Sequence, residues 1–139
     1  MYRAILSVLF LAGCVQLPPT PQDLQAKRFE PAPGQSVIYL VRTPLDSSEP
    51  QTLMLNGRAT IATLPGTYYR WEVAPGRHHI EGFGFGSESV TLTTEPGGVY
   101  FFEHTVIGDP HDGGVQLTAL RRVDDRRGRS LVARSQLVR

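Results

Sequence analysis

Four histidines, one cysteine and a glycine-phenylalanine repeat are the residues of this 139-residue chain whose types and spacing could support chemistry. His78 and His79 are neighbours in an expected strand, so they point to opposite faces and cannot ligate one ion without a bulge. His104 falls in another strand. His111 falls in a loop with Asp109 and Asp112, where three ligands could gather, but the run from Asp109 to Gly114 is also an ordinary polar turn and is read as one. In Gly82-Phe83-Gly84-Phe85-Gly86 the spacing is two throughout and no helix N-terminus follows to hold an anion, which excludes a phosphate loop. On a strand this spacing sets the glycines on one face and Phe83 and Phe85 on the other. The rings are expected in the core; exposed, they would form a sugar- or peptide-binding platform. No Gly-x-Ser-x-Gly elbow is present, and no local motif joins an acid, a base and a nucleophile. The expectation is a non-enzyme without catalytic, cofactor-binding or metal-binding residues.

Cys14 is a different case. It closes Leu11-Ala12-Gly13-Cys14, which follows Arg3 and an apolar run over residues 4–10 broken only by Ser7. These are a positive n-region, an h-region and a small-residue cleavage site. The run is far shorter than the roughly 20 residues that span a bilayer, so it reads as a signal to be removed. The segment resembles the lipobox of bacterial lipoproteins. That resemblance implies a signal peptide over residues 1–13 and a diacylglycerol on the Cys14 sulfur. It also implies an acylated new N-terminus, with chains such as palmitate. Each buried methylene contributes about 0.8 kcal/mol, so two or three chains hold a small domain where one gives only marginal binding. Val15 stands where an aspartate would signal inner-membrane retention in enteric bacteria. The expected address is the periplasmic face of the outer membrane.

Lys and Arg total 14 against 13 Asp and Glu, a formal charge of +1, which leaves no overall electrostatic footprint for nucleic acid. A single cysteine excludes an intrachain disulfide and a multi-cysteine zinc site. Charge is nonetheless uneven: residues 121–139 hold seven arginines against Asp124 and Asp125. On a periplasmic lipoprotein this is a solvated helix face, or a patch for anionic lipid headgroups or an acidic partner.

The elements that must position these residues are mostly strands. Residues 14–35 comprise the lipidated cysteine and a segment with five prolines, read as a tether that reaches at most roughly 65 Å at about 3.1 Å per residue. A helical turn is expected over 24–29. Residues 36–139 form the domain. Eight β-type runs are expected at 36–42, 52–55, 58–64, 67–73, 77–85, 88–94, 99–107 and 115–123, divided by turn signals. Asn56-Gly57 is the sharpest of these, because a type I′ hairpin needs positive φ at both positions. Alternation over 67–73 sets Tyr69, Trp71 and Val73 inward and Tyr68, Arg70 and Glu72 outward. No long amphipathic helix interrupts the strands, so βαβ units are excluded and antiparallel hairpins remain. A short helix is expected over 124–138, capped by Asp124 or Asp125, with Gly128, Leu131, Val132, Ser135 and Val138 on one face.

Leu53 to Arg58, Ala74 to Ile80 and Glu95 to Phe102 together resemble a small bacterial lipoprotein family catalogued as a domain of unknown function, with a theme similar to PEGA-type β domains. The theme is a strand ending in Asn-Gly, a second closing at Pro-Gly with a basic residue and histidine, and a third opening after glycine with an aromatic run. The resemblance covers roughly residues 36–138 and implies a prealbumin-like or immunoglobulin-like sandwich on a lipid tether. It brings no catalytic residues. The expected fold is thus all-β, an antiparallel sandwich of seven or eight strands with a short C-terminal helix. Trp71, Tyr69, Val73, Ile38, Leu40, Phe101 and Leu117 are its expected core. The expected role is a membrane-anchored, non-catalytic interaction or envelope-structural module that meets an envelope protein and no nucleic acid. The alternative is a domain that binds or hydrolyses cell-wall sugar or peptide.

Overall fold

The computed structural model describes residues 18–44, 47–83, 88–109, 111 and 113–138. Cys14, Phe85, Asp112 and the expected signal over 1–13 lie outside the described residues. The elements run α1 (Pro21–Ala26), β1 (Ser36–Arg42), β2 (Gln51–Leu55), β3 (Ala59–Thr63), β4 (Thr67–Val73), β5 (Gly76–Gly82), β6 (Ser89–Thr94), β7 (Val99–Ile107), β8 (Leu117–Val123), α2 (Asp125–Ala133) and β9 (Gln136–Leu137). The strands form two sheets, one of five in the order β8-β7-β1-β4-β9 and one of four in the order β3-β2-β5-β6. The expectation of a mostly β protein with a short C-terminal helix holds. Asn56 and Gly57 have φ of 52° and 64°, so the hairpin between β2 and β3 turns as the dipeptide requires.

Not every pairing is antiparallel. β1 runs parallel to β7, with Val37 opposite Val99 and Arg42 opposite His104, and β4 runs parallel to β9. A parallel neighbour needs a long crossover, and here the chain between β1 and β7 passes through β2 and β3, back through β4, and out again through β5 and β6. The other sheet, not a helix, makes the crossover.

The first apolar core draws on both sheets. Ile38, Leu40, Val73, Phe102 and Leu120 come from the five-stranded sheet, and Leu53, Leu55, Ile80 and Leu92 from the four-stranded one; Tyr69 and Trp71 pack at its margin. A second core lies on the opposite face of the five-stranded sheet, where Val37, Tyr39, Val41, Tyr68 and Phe101 meet Ala26, Leu131 and Val132 of the two helices. β1 is therefore buried on both faces, as its β-branched and aromatic run demands. Two expectations need correction. Tyr68 is buried, not outward, because the helical layer covers it. Leu117 is 51% exposed, because β8 turns Thr118 and Leu120 inward and its neighbours must alternate outward.

The expected tether is folded from Thr20 onward. The Thr20 side chain caps α1 by accepting from the Asp23 amide at 3.1 Å, and the Tyr39 hydroxyl donates to the Ala26 carbonyl at 2.5 Å. Phe29 packs on Tyr39 and Phe101 at ring separations of 5.3 and 5.8 Å. At the other end of the chain, Asp124 caps α2 through the Arg127 amide, and the helix stops after Ala133 instead of running to 138. Gln136 and Leu137 then pair with β4 as an edge strand.

Candidate functional site

Polar side chains converge at the end of the molecule where β1 stops and the loops over 43–50 and 108–116 meet. Arg42 closes β1 on the face that carries Ile38 and Leu40, so alternation sends it inward, and it is fully buried. Its Nη1 donates to the Thr63 carbonyl at 2.8 Å and its Nη2 to the Ser47 carbonyl. His104, its register partner across the parallel pair, is 1% exposed, with Nδ1 3.1 Å from the Thr63 hydroxyl. Burial, reinforced by repulsion from Arg42, drives the His104 pKa down to about 4. His104 is thus a neutral structural imidazole. Arg42 and His104 of one sheet both meet Thr63 of the other, so this cluster fastens the two sheets together.

Outside this plug the two loops touch. The Ser47 amide donates to the Val106 carbonyl at 3.2 Å, and Gln51 Nε2 donates to Gln116 Oε1. His111 Nε2 lies 3.2 Å from Glu49 Oε1, while Asp109 Oδ1 accepts the His111 amide at 2.8 Å. The ligand atoms of Glu49, Asp109 and His111 all lie within 4.8 Å of one another, the one such trio among the described residues. One imidazole and two carboxylates are a donor set that could seat a divalent cation with coordination positions left open. Glu49 is the member that the pattern of the 109–114 loop does not contain.

A third assembly covers the outer face of the five-stranded sheet. The Tyr68 hydroxyl donates to Asp23 Oδ1 at 2.8 Å, the Leu137 amide donates to the same oxygen at 3.0 Å, and Lys27 Nζ sits 2.8 Å from Asp23 Oδ2. Lys27 also donates to the Ser135 carbonyl at 2.8 Å, so the first helix and the last strand are tied through one carboxylate and one ammonium. On α2, Gly128, Leu131 and Val132 face inward and the arginines face out. Arg127 and Arg121 both pair with Glu103, Arg129 pairs with Asp125 and lies over the Phe29 ring at 4.6 Å, and Arg122 lies over Tyr100 at 5.2 Å. Arg126 and Arg134 are exposed and make no ion pair among the described residues.

The histidines separate as expected. His78 is buried: Asn56 Nδ2 donates to its Nδ1 at 3.1 Å, and its Nε2 donates to the Ala74 carbonyl at 2.8 Å. His79 faces the other way, 2.9 Å from the Thr91 hydroxyl. Phe83 is 41% exposed, because β5 ends at Gly82; the expectation that it enters the core does not hold. Phe85, Asp112 and Cys14 lie outside the described residues. Arg42 and Glu49 escape a reading by motif, and the one signal for Arg42 is its parity with Ile38 and Leu40. No protein-family model and no curated protein matches the chain.

Proposed function

We propose that this protein is a lipoprotein held through Cys14 at the periplasmic face of the outer membrane, where it serves as a non-catalytic interaction or envelope-structural module. The observation that carries this reading is Leu11-Ala12-Gly13-Cys14 placed directly after Arg3 and its apolar run. The resemblance to the small lipoprotein family with PEGA-like motifs supports it. Two sheets that share one apolar interior agree with an immunoglobulin-like or prealbumin-like sandwich. The four-stranded sheet has β3 and β6 at its edges, and either could take a partner strand by backbone pairing. Tethering raises the effective concentration of such an edge at a partner in the same envelope. Cys14→Ala is expected to abolish acyl labelling and leave an uncleaved or soluble product; retention of that variant on membranes after a high-salt wash would overturn the anchor. In-cell crosslinking of the tagged protein should recover one envelope complex.

A second reading, binding or hydrolysis of cell-wall sugar or peptide, is favoured by the exposed Phe83 ring and the Glu49, Asp109 and His111 trio. Its test is retention on peptidoglycan, with loss in Phe83→Ala or His111→Ala. Retention lost in either variant, with no reproducible crosslinked partner, selects this reading over the first.

A further inference from the structure

We infer that the outward face of α2 docks on anionic lipid headgroups beside the anchor; the inference rests on the lipid-anchor reading above. Pro18, the first of the described residues, lines one cleft with Lys27, Ala133 and Arg134 at the C-terminal end of α2. Only residues 15–17 separate Pro18 from Cys14, so even a fully extended chain sets Pro18 within about 14 Å of the acylated residue. A nine-residue helix is itself about 13.5 Å long. The whole of α2 therefore lies within a short distance of the bilayer, instead of at the end of a tether roughly 65 Å long.

The charge on that helix matches the surface. Arg126, Ser130 and Arg134 recur at i, i+4 and i+8 and are all exposed, on the side opposite the buried Gly128, Leu131 and Val132. Six arginines over residues 121–134 face three acidic groups, Asp124, Asp125 and Glu103, and the carboxylates sit at the flanks: Asp125 on Arg129, and Glu103 beneath Arg121 and Arg127. Arg126 and Arg134 are left to face outward. Acyl chains with a basic patch form the two-signal arrangement that fixes a protein to a membrane, and headgroup attraction acts within a Debye length of the surface. An acidic protein partner would meet the same charge but would have to enter the narrow space between α2 and the bilayer.

Because Cys14 is the chain's one cysteine, Ser130→Cys offers a single free thiol on the acylated product for an environment-sensitive fluorophore. In vesicles holding about 30% phosphatidylglycerol, this label should report a membrane-proximal setting, and in vesicles of phosphatidylethanolamine and phosphatidylcholine it should not. The label should return to its aqueous signal in roughly 0.5 M salt, where screening is short. Arg126→Gln with Arg134→Gln should lower the docked-to-free ratio by about ten-fold or more. A label at Thr60→Cys, exposed on β3 of the other sheet, should not respond. An unchanged Ser130→Cys signal on the anionic vesicles, or equal responses at the two positions, would overturn the inference and leave the arginines to an acidic protein. Intact mass reads acylation of Cys14 separately. If Cys14 proves unacylated, the anchor reading falls, and the same label on a Cys14→Ser chain held by an N-terminal histidine tag on a nickel-chelating lipid still decides the surface.

Discussion

Gly128 of α2 lies against the ring of Phe101 in β7: a Cβ at position 128 would stand 2.1 Å from Phe101 Cγ and 2.5 Å from its Cβ. Phe101 cannot yield easily, since its ring stacks on Tyr39 at 5.2 Å and meets the edge of Phe29 at 5.8 Å. Propensity alone would favour alanine in a helix interior by about 1 kcal/mol. Contact outweighs it here. Gly128→Ala should destabilise the protein by about 1–3 kcal/mol, the usual cost of overpacking. The readout is a lower urea midpoint with an unchanged slope. A stabilised variant would show that α2 slides off the ring at little cost.

The register of β8 gives a sharper contrast. Leu117 and Leu120 are three residues apart, yet Leu117 is 51% exposed and Leu120 is buried in the core between the sheets. Leu120→Ala should cost about 2–5 kcal/mol, and Leu117→Thr should fall within about 0.5 kcal/mol of the parent. Reversed costs, with Leu117→Thr the more damaging, would place the strand one residue out of register.

What is legible in the sequence is set by where local chemistry and burial agree. Ser36–Arg42, Thr67–Val73 and Val99–Ile107 occupy the expected limits, because β-branched and aromatic runs stop at Pro44, Ala74-Pro75-Gly76 and Gly108. The second core is only half legible, for a physical reason. The helical face of Gly128, Leu131 and Val132 shows in the arginine-rich segment, but on the other side Ala26 and Phe29 are too few to impose a period on a proline-rich one. The parallel pairing of β1 and β7 is likewise invisible, since nothing local tells a strand which of its distant neighbours it will join. Glu49 and His111 come from loops sixty-two positions apart, and only the fold brings them to 3.2 Å.

The clasp at Asp23 carries a pH signature. Burial alone would raise its pKa, but hydrogen bonds from Lys27, Tyr68 and the Leu137 amide outweigh burial and hold the carboxyl below its usual 3.8. A carboxylate whose folded pKa is depressed stabilises the fold above the unfolded pKa, and that stabilisation is lost as pH falls through the folded value. The loss therefore belongs to the range below about pH 3.8. In Asp23→Asn this part of the acid slope should disappear. Tyr68→Phe removes a donor to a charged acceptor and should cost about 1.5–3 kcal/mol at neutral pH. Limited proteolysis should then cut more readily within residues 20–35, which this clasp holds to the sheet.

His104 governs the less acidic range, with a different origin. Its imidazole is 1% exposed, and burial with Arg42 beside it drives the pKa from 6.5 to about 4. Between these values the unfolded chain binds a proton that the folded chain refuses, so stability rises with pH across this window and falls as pH is lowered through it. A shift of that size corresponds to roughly 3 kcal/mol lost between about pH 6.5 and pH 4, with no further loss from this residue below pH 4. His104→Gln keeps a polar side chain beside Thr63 but cannot titrate. The variant should be less stable at neutral pH, because its fit to the Thr63 hydroxyl is disturbed, and its stability should be flatter between about pH 6.5 and pH 4. Urea midpoints at a neutral, an intermediate and an acidic pH give the slope directly. Equal slopes in parent and variant would mean that the folded protein admits a proton at His104 and that the Arg42 plug opens to receive it.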